Sequence, residues 1–303
     1  MSPTDAAKTG PVQKAELEIA GKLPARTRNF ISRLLPQHLK HQLRHVINYS
    51  LDCVDLLLGH RRPLVPPRHM NFVGNGDFEA TGDEFHRYFV ELGGLEPKHR
   101  VLDLGCGIGR MARPLASYLT TGSYEGLDIV PAGIRWCQRA YSQRYPNFRF
   151  QVADIHNRWY NPHGRFQAAE YTFPYGDQEF DFVFLSSVFT HMLPLGVKQS
   201  LSEIFRTMRP GGKCLVTFFL LNDEAKELIN NGLSSRDFSF ALDDCRVQNP
   251  RVPEDAVAYE EKYVRTLLAE TGFGVENVQY GSWCGRTRHL SYQDIVIIRK
   301  GIR

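Results

Sequence analysis

None of the six cysteines, at positions 53, 106, 137, 214, 245 and 284, stands in a Cys-x-x-Cys pair, and their spacings make no regular framework. That excludes a disulfide-stapled fold and a structural zinc site, so reduced thiols in a cytoplasmic protein without a metal are expected. No apolar run approaches the ~18 residues a membrane-spanning helix needs, and Met1 to Gly21 contains lysines and acids but no apolar signal core. Excess charge is missing too: 37 Lys and Arg against 33 Asp and Glu give +4 over 303 residues. Composition therefore makes no case for a nucleic-acid partner held by many phosphate contacts. There is no internal repeat and no low-complexity tract. What remains is 42% hydrophobic and 23% charged, enough for one large α/β domain with additions.

Residues 1–22 are small and polar and read as a disordered tail, and 23–80 as a helical extension and linker. From Phe30 to Gly59, Ile31, Leu34, Leu35, Leu39, Leu43, Val46, Ile47, Val54 and Leu58 recur mainly at three- and four-residue steps beside Arg33, Lys40 and Arg44. This predicts an amphipathic helical region, broken at Pro36, that packs on the domain, forms a homodimer contact, or meets a membrane peripherally through 30–60. A second helix is predicted over Thr81 to Leu92, with Thr81 and Glu84 as a capping box. From there to residue 303 strands and helices alternate: strands at 100–104, 123–129, 148–153, 180–185 and 213–220, helices at 110–119, 131–144 and 194–208. Such alternation predicts a Rossmann-like, doubly wound parallel sheet, with ligands at the carboxyl ends of the strands. A closing unit of helix 259–271 and strands 275–280 and 294–299 has no second helix, so the final strand enters antiparallel. Two connections, 156–179 and 222–258, exceed ordinary loop length and read as insertions that form lids or bind substrate.

The chemistry enters at Val101 to Arg110, Val-Leu-Asp-Leu-Gly-Cys-Gly-Ile-Gly-Arg, where an apolar strand runs into a glycine turn and then a helix. Gly105, Gly107 and Gly109 let the main chain take positive φ and come close to a ligand. The spacing is G-x-G-x-G, with Arg110 where a dinucleotide fingerprint has its third small residue. Asp103 would repel a pyrophosphate but can hold the ammonium group of a methionine moiety. Asp128 closes the second strand, where a carboxylate can accept both ribose hydroxyls. Asp154 closes the third, where it can accept from the adenine amine while Ile129 and Ile155 sandwich the ring.

The glycine turn resembles motif I of the class I S-adenosylmethionine-dependent methyltransferases. Phe180-Asp-Phe-Val-Phe-Leu-Ser-Ser-Val-Phe-Thr-His-Met, followed by Arg209-Pro-Gly-Gly-Lys, is similar to motif IV and the turn before strand five of that family. The likeness covers about Phe85 to Leu220, extending to Arg299, and implies a seven-stranded sheet and S-adenosyl-L-methionine as cofactor. Asp103, Gly105, Cys106, Gly107, Gly109, Asp128, Ile129, Asp154, Ile155 and Ser186 are the expected cofactor residues, Cys106 serving as a small side chain beside the methionine moiety. The family's Asn/Asp-Pro-Pro-Tyr/Phe tetrapeptide is absent and Ser186-Ser187 stands in its place, so amino-methylation of adenine or glutamine loses support. Tyr171-Thr-Phe-Pro-Tyr, Phe219-Leu-Leu-Asn, Gly281-Ser-Trp-Cys-Gly-Arg286 and Tyr292-Gln-Asp-Ile are similar to a bacterial group of such enzymes with mostly unassigned acceptors.

Methyl transfer to a small-molecule hydroxyl, on a metabolite, glycan or lipid precursor, is the expected activity. An alcohol needs a base, and His191, just after the fourth strand, is the leading candidate, followed by His163 and Asp177 in the aromatic segment 156–179. Trp283, Cys284 and Arg286 follow the sixth strand and are placed to reach the same cleft. RNA and protein methyltransferases and a non-catalytic cofactor-binding protein stay open as alternatives.

Overall fold

The computed structural model describes residues 37–74, 76–158 and 160–302. The tail, the stretch before Gln37 and Trp159 therefore lie outside the described residues. A helix α1 (Gln37–Leu57) leads through a 3-10 turn at Arg68–Met70 to α2 (Phe78–Glu91). The sheet strands are β1 (Arg100–Leu104), β2 (Ser123–Asp128), β3 (Phe148–Val152), β4 (Phe180–Leu185) and β5 (Met208–Phe218), joined by α3 (Ala112–Tyr118), α4 (Pro131–Tyr141) and α5 (Pro194–Thr207). Then come β6 (Leu220–Leu221), α6 (Asp223–Asn230), β7 (Phe240–Leu242), β8 (Cys245–Val247), β9 (Val257–Glu260), α7 (Glu261–Thr271), β10 (Phe273–Gln279) and β11 (Asp294–Lys300). No helix among the described residues is long and apolar enough to cross a membrane.

The main sheet has seven strands in the order β10-β11-β5-β4-β1-β2-β3. β1 to β5 run parallel, and β11 enters antiparallel to both neighbours, as the paired terminal strands predict. Chain order reverses between β1 and β4, which opens a crevice at their carboxyl ends where ligands of doubly wound sheets bind. Alternating side chains fill both faces: Phe182 and Phe184 join one core with Phe85, Tyr88, Phe89 and Tyr124, while Val183 and Leu185 join the other with Leu201, Ile204 and Val216.

Several boundaries differ from expectation. α2 begins at Phe78, and its cap is Asp77, whose Oδ1 accepts from the Ala80 amide at 2.7 Å, so the Thr81–Glu84 capping box does not form. Glu84 instead accepts from the Tyr88 hydroxyl one turn on. Tyr259 belongs to β9, because burial beside Cys245 in a second sheet outweighs its helical spacing. That second sheet, β6-β9-β8-β7, is where 222–258 goes. Its hairpin turns tightly at Asp243, which takes φ +46, with Leu242 paired to Cys245. The other long connection, 156–179, is the β3-to-β4 crossover: it leaves one sheet edge and ends at the other, burying Phe173 while Phe166 stays exposed.

Candidate active site

The bend after β1 depends on its glycines. Gly105, Gly107 and Gly109 all sit at positive φ, +81°, +58° and +81°. A Cβ on Gly105 would stand 2.4 Å from Val188, and one on Gly107 2.5 Å from Val73. The turn is thus pressed between the chain after β4 and a segment ahead of α2. Gly105 and Cys106 both donate their amides to Leu127 O, at 2.7 and 3.2 Å, tying the bend to the end of β2. Arg110, at the expected small-residue position, reaches back over the Phe78 ring and donates to Gly74 O at 3.5 Å. Burial pushes its guanidinium down to about 10, with the charge of Asp77 opposing.

Asp128 lies at the tip of β2 with 8% of its surface exposed. Its Oδ2 accepts from the Gly107 amide at 2.7 Å and its Oδ1 from the Val130 amide at 2.8 Å. Burial lifts its carboxyl above the usual range, although those amides pull the other way. Asp103 is deeper. It accepts from the Tyr124 hydroxyl at 2.5 Å beneath the bend, and burial, opposed by that hydroxyl and reinforced by Asp128, raises it well above an ordinary carboxylate. Asp103 thus lies buried at the base of the bend, with Tyr124 as its partner. Asp154 follows β3 and is held by Arg165, through the Arg165 amide at 3.1 Å and a guanidinium ion pair that lowers its pKa. Ile129 and Ile155, both half-buried, flank this row. A bare backbone bend, two acids and two isoleucines along one edge fit a nucleoside joined to an amino acid. When bound, S-adenosylmethionine would supply a methyl group on a sulfonium, and Gly105 to Gly109, Asp128, Ile129, Asp154 and Ile155 are the residues that would hold it.

Across the crevice, Ser187 follows β4 with φ +61°, a costly backbone for a serine. Its amide donates to the buried Thr217 hydroxyl at 2.8 Å, and its own hydroxyl donates to Gln293 Oε1 at 3.0 Å. Ser186, between this residue and β4, is half-buried. His191 closes the short 3-10 turn Phe189–His191 and is exposed. Its Nδ1 lies 3.0 Å from Glu254 O, and a carbonyl can only accept, so Nδ1 carries the hydrogen and Nε2 keeps its lone pair in the neutral ring. Burial raises the Glu254 carboxyl, while the nearby His156 and His191 oppose that shift.

The remaining expected residues are spread apart. His163 is exposed in the loop that the Ile155–Phe166 pairing closes, on the Asp154 side. Asp177 is a correction: it precedes β4 and pairs at 2.8 Å with Arg206 in the last turn of α5, at the edge of the sheet opposite the glycine bend. A residue just ahead of a parallel strand cannot share an edge with residues just after one. Trp283, Cys284 and Arg286 are also corrected, since all three are buried. Asp294 Oδ2 accepts from Leu220 N and Trp283 Nε1, each at 2.7 Å, and Oδ1 accepts from Gly281 N at 2.7 Å and Arg286 Nη1 at 3.2 Å. Arg286 also donates to Glu224 at 2.7 Å and Asn222 at 2.9 Å, so the network fastens α6 to the β10–β11 connection. Sequence reasoning missed Phe72 and Val73, which lie against Gly133 and Gly107; the neighbouring Gly74 and Gly76 marked only a turn. No cluster of three or more His, Cys, Asp or Glu among the described residues could hold a metal ion.

Residues 101–212 match the family model described as a methyltransferase domain. A phthiotriol/phenolphthiotriol dimycocerosates methyltransferase of Mycobacterium ulcerans is 34% identical over 138 residues, 46% of this chain and 42% of that protein. A fatty-acid O-methyltransferase of Mycolicibacterium smegmatis is 31% identical over 145 residues, 46% of each. The chain thus spans less than half the length of these curated relatives. A crystal structure from Pyrococcus horikoshii shares the fold, with a TM-score of 0.50 and 19% identity over 73% of this chain and 90% of that one. The glycine bend, the strand order and the family match meet on one sheet edge, so residues 101–212 are similar to a methyltransferase domain and the sheet has the fold of the class I S-adenosylmethionine-dependent methyltransferases.

Proposed function

We propose that the protein transfers the methyl group of S-adenosylmethionine to a hydroxyl of a small, lipid-like acceptor. The observation that carries this is the row along one sheet edge, in which the bare Gly105–Gly109 bend, Asp128 and Asp154 adjoin the crevice holding His191. In this reading Asp128 accepts from the ribose hydroxyls and Asp154 from the adenine amine once Arg165 turns aside, while Ile129 and Ile155 cover the faces of the base.

Because the sulfonium methyl is already activated, the protein's main task is to hold the acceptor oxygen in line, which contributes up to ~7–11 kcal/mol in favourable cases. His191 Nε2 takes the hydroxyl proton as the acceptor oxygen gains the methyl group, which bound S-adenosylmethionine would supply from its sulfonium while the bonding pair stays on its sulfur. Glu254 O orients the ring for that role, a task a backbone carbonyl performs at any pH. The lipid class is supported by the relatives, whose names give a fatty acid and phthiotriol dimycocerosates as acceptors.

The test combines calorimetric titration with S-adenosylhomocysteine and transfer of labelled methyl to a panel of fatty acids and hydroxylated lipids. Submicromolar to micromolar binding plus label in a lipid methyl ether is expected, and label confined to methyl esters defeats the hydroxyl acceptor. Absence of binding defeats the cofactor site, and binding with transfer only to RNA or protein defeats the acceptor class.

A further inference from the structure

Charge is unevenly spread along this chain. Between Lys22 and Gly76 stand nine lysines and arginines (22, 26, 28, 33, 40, 44, 61, 62 and 68) and only two acids, Asp52 and Asp55, although the whole chain carries just +4. The remainder of the protein is therefore net acidic. Both acids are engaged by the turn that α1 packs on. Asp52 accepts from the amides of Arg68 at 2.9 Å and His69 at 3.0 Å, and Asp55 pairs with the Arg68 guanidinium at 2.5 Å.

On the other face of α1 Tyr49 still meets the His69 ring edge-on at 5.3 Å, but no ion pair forms there among the described residues. Val46, Tyr49, Cys53, Val54 and Leu57 follow one another at three-, four-, one- and three-residue steps, and all are exposed, Leu57 at 85%. Leu58 extends the stripe to exposed His60 and Arg61, and to Arg62, whose guanidinium pairs with Glu79. An apolar stripe with bases at its end and its acids turned away has the composition of a helix that lies in a lipid interface.

We propose that α1 docks this protein on the surface of an anionic phospholipid bilayer, with Val46, Tyr49, Val54 and Leu57 among the acyl chains and Arg61 at the headgroups. The charge distribution selects this occupant. A second copy would bring two positive surfaces together, and a nucleic acid would satisfy the bases but leave the apolar stripe in water. The inference goes beyond methyl transfer and does not rest on it. It has a spatial consequence, because the segment following α1 ends in Phe72 and Val73 against the cofactor bend. Docking would hold that bend close to the membrane surface.

Co-sedimentation of the full chain with vesicles tests this. Binding to phosphatidylcholine vesicles containing phosphatidylglycerol, weakening with added salt and absent from pure phosphatidylcholine, is expected. Leu57→Asp should lower the partition coefficient by about tenfold or more, since a charge replaces a buried apolar group, and Leu57→Phe should retain it. Both variants should bind S-adenosylhomocysteine as the parent does, so loss of vesicle binding is separable from loss of fold. The proposal is overturned by absence of binding to the anionic vesicles or by equal binding of Leu57→Asp. It is equally overturned if the chain is a dimer that Leu57→Asp converts to monomer.

Discussion

The two halves of the sheet's carboxyl edge are built on opposite plans. Around β1, β2 and β3 the protein presents backbone: three glycines without side chains, amides turned to Asp128, and carboxylates in short sequence proximity to the strands that aim them. Around β4, β5 and β11 it presents interlocked side chains, in which Ser187 bonds to Thr217 and to Gln293, 30 and 106 residues away, and Arg286 to Asn222, 64 residues away. The first plan suits a ligand that never changes, because backbone geometry tolerates few alternatives. The second plan ties together pieces that lie apart in the chain and holds them rigid.

The contrast predicts that mutations on the two sides fail differently. Asp294→Asn should destabilise the fold by about 3–5 kcal/mol, because its amide group would face the Leu220 and Trp283 donors and Arg286 would lose its buried counter-charge. Chemical denaturation measures this, and folded variant should still bind S-adenosylhomocysteine normally. The same group carries a pH signature. Burial, opposed by the Gly281 and Leu220 amides, Trp283 and Arg286, raises the Asp294 pKa to about 6. Between about pH 4 and 6 the folded state keeps a proton that the unfolded chain has released, so this group's contribution to stability falls as pH rises through that window. The stability gap between parent and Asp294→Asn should accordingly widen as pH falls from 6 to 4, and a constant gap would contradict the assignment.

His191→Ala should lower turnover about 100-fold, the lower range for loss of a general base, with cofactor affinity unchanged in calorimetry. Full activity would reassign the ring to packing against Glu254. Asp128→Ala should weaken S-adenosylhomocysteine binding by about 1.5–3 kcal/mol through lost charge-assisted bonds, with a smaller effect on unfolding than Asp294→Asn. Arg165→Ala should have the smallest effect, within about 0.5 kcal/mol on stability, because its ion pair with Asp154 is exposed. A larger loss would show that the crossover is held by that pair.

The cofactor half was legible in the sequence because its signals are local. A strand, a G-x-G-x-G bend and a helix occupy twenty consecutive residues, and Asp128 and Asp154 stand at the ends of strands whose apolar runs mark them. The antiparallel entry of β11 followed from two strands with no helix between them. The β4, β5 and β11 side was not legible for matching reasons. Strands of two to four residues, such as β6, β7 and β8, are too short to show a period, and Arg286 finds Asn222 and Glu224 only after folding. Asp177 was misplaced although topology contained the answer, since it stands before β4 and not after it. Val73 gave no sign of its position, because contact with a glycine leaves no pattern in the contacting residue.

The second sheet grows directly out of β5, through Phe219 into β6, and is bolted down by the Asp294–Arg286 cluster. It is continuous with the main fold at its other end as well, where β9 runs straight into α7, and Cys245, Val247, Val257 and Tyr259 share one core with Leu104, Leu185 and Phe189. A change of volume in this plate is therefore felt under the turn after β4, which makes the two sheets one mechanical unit.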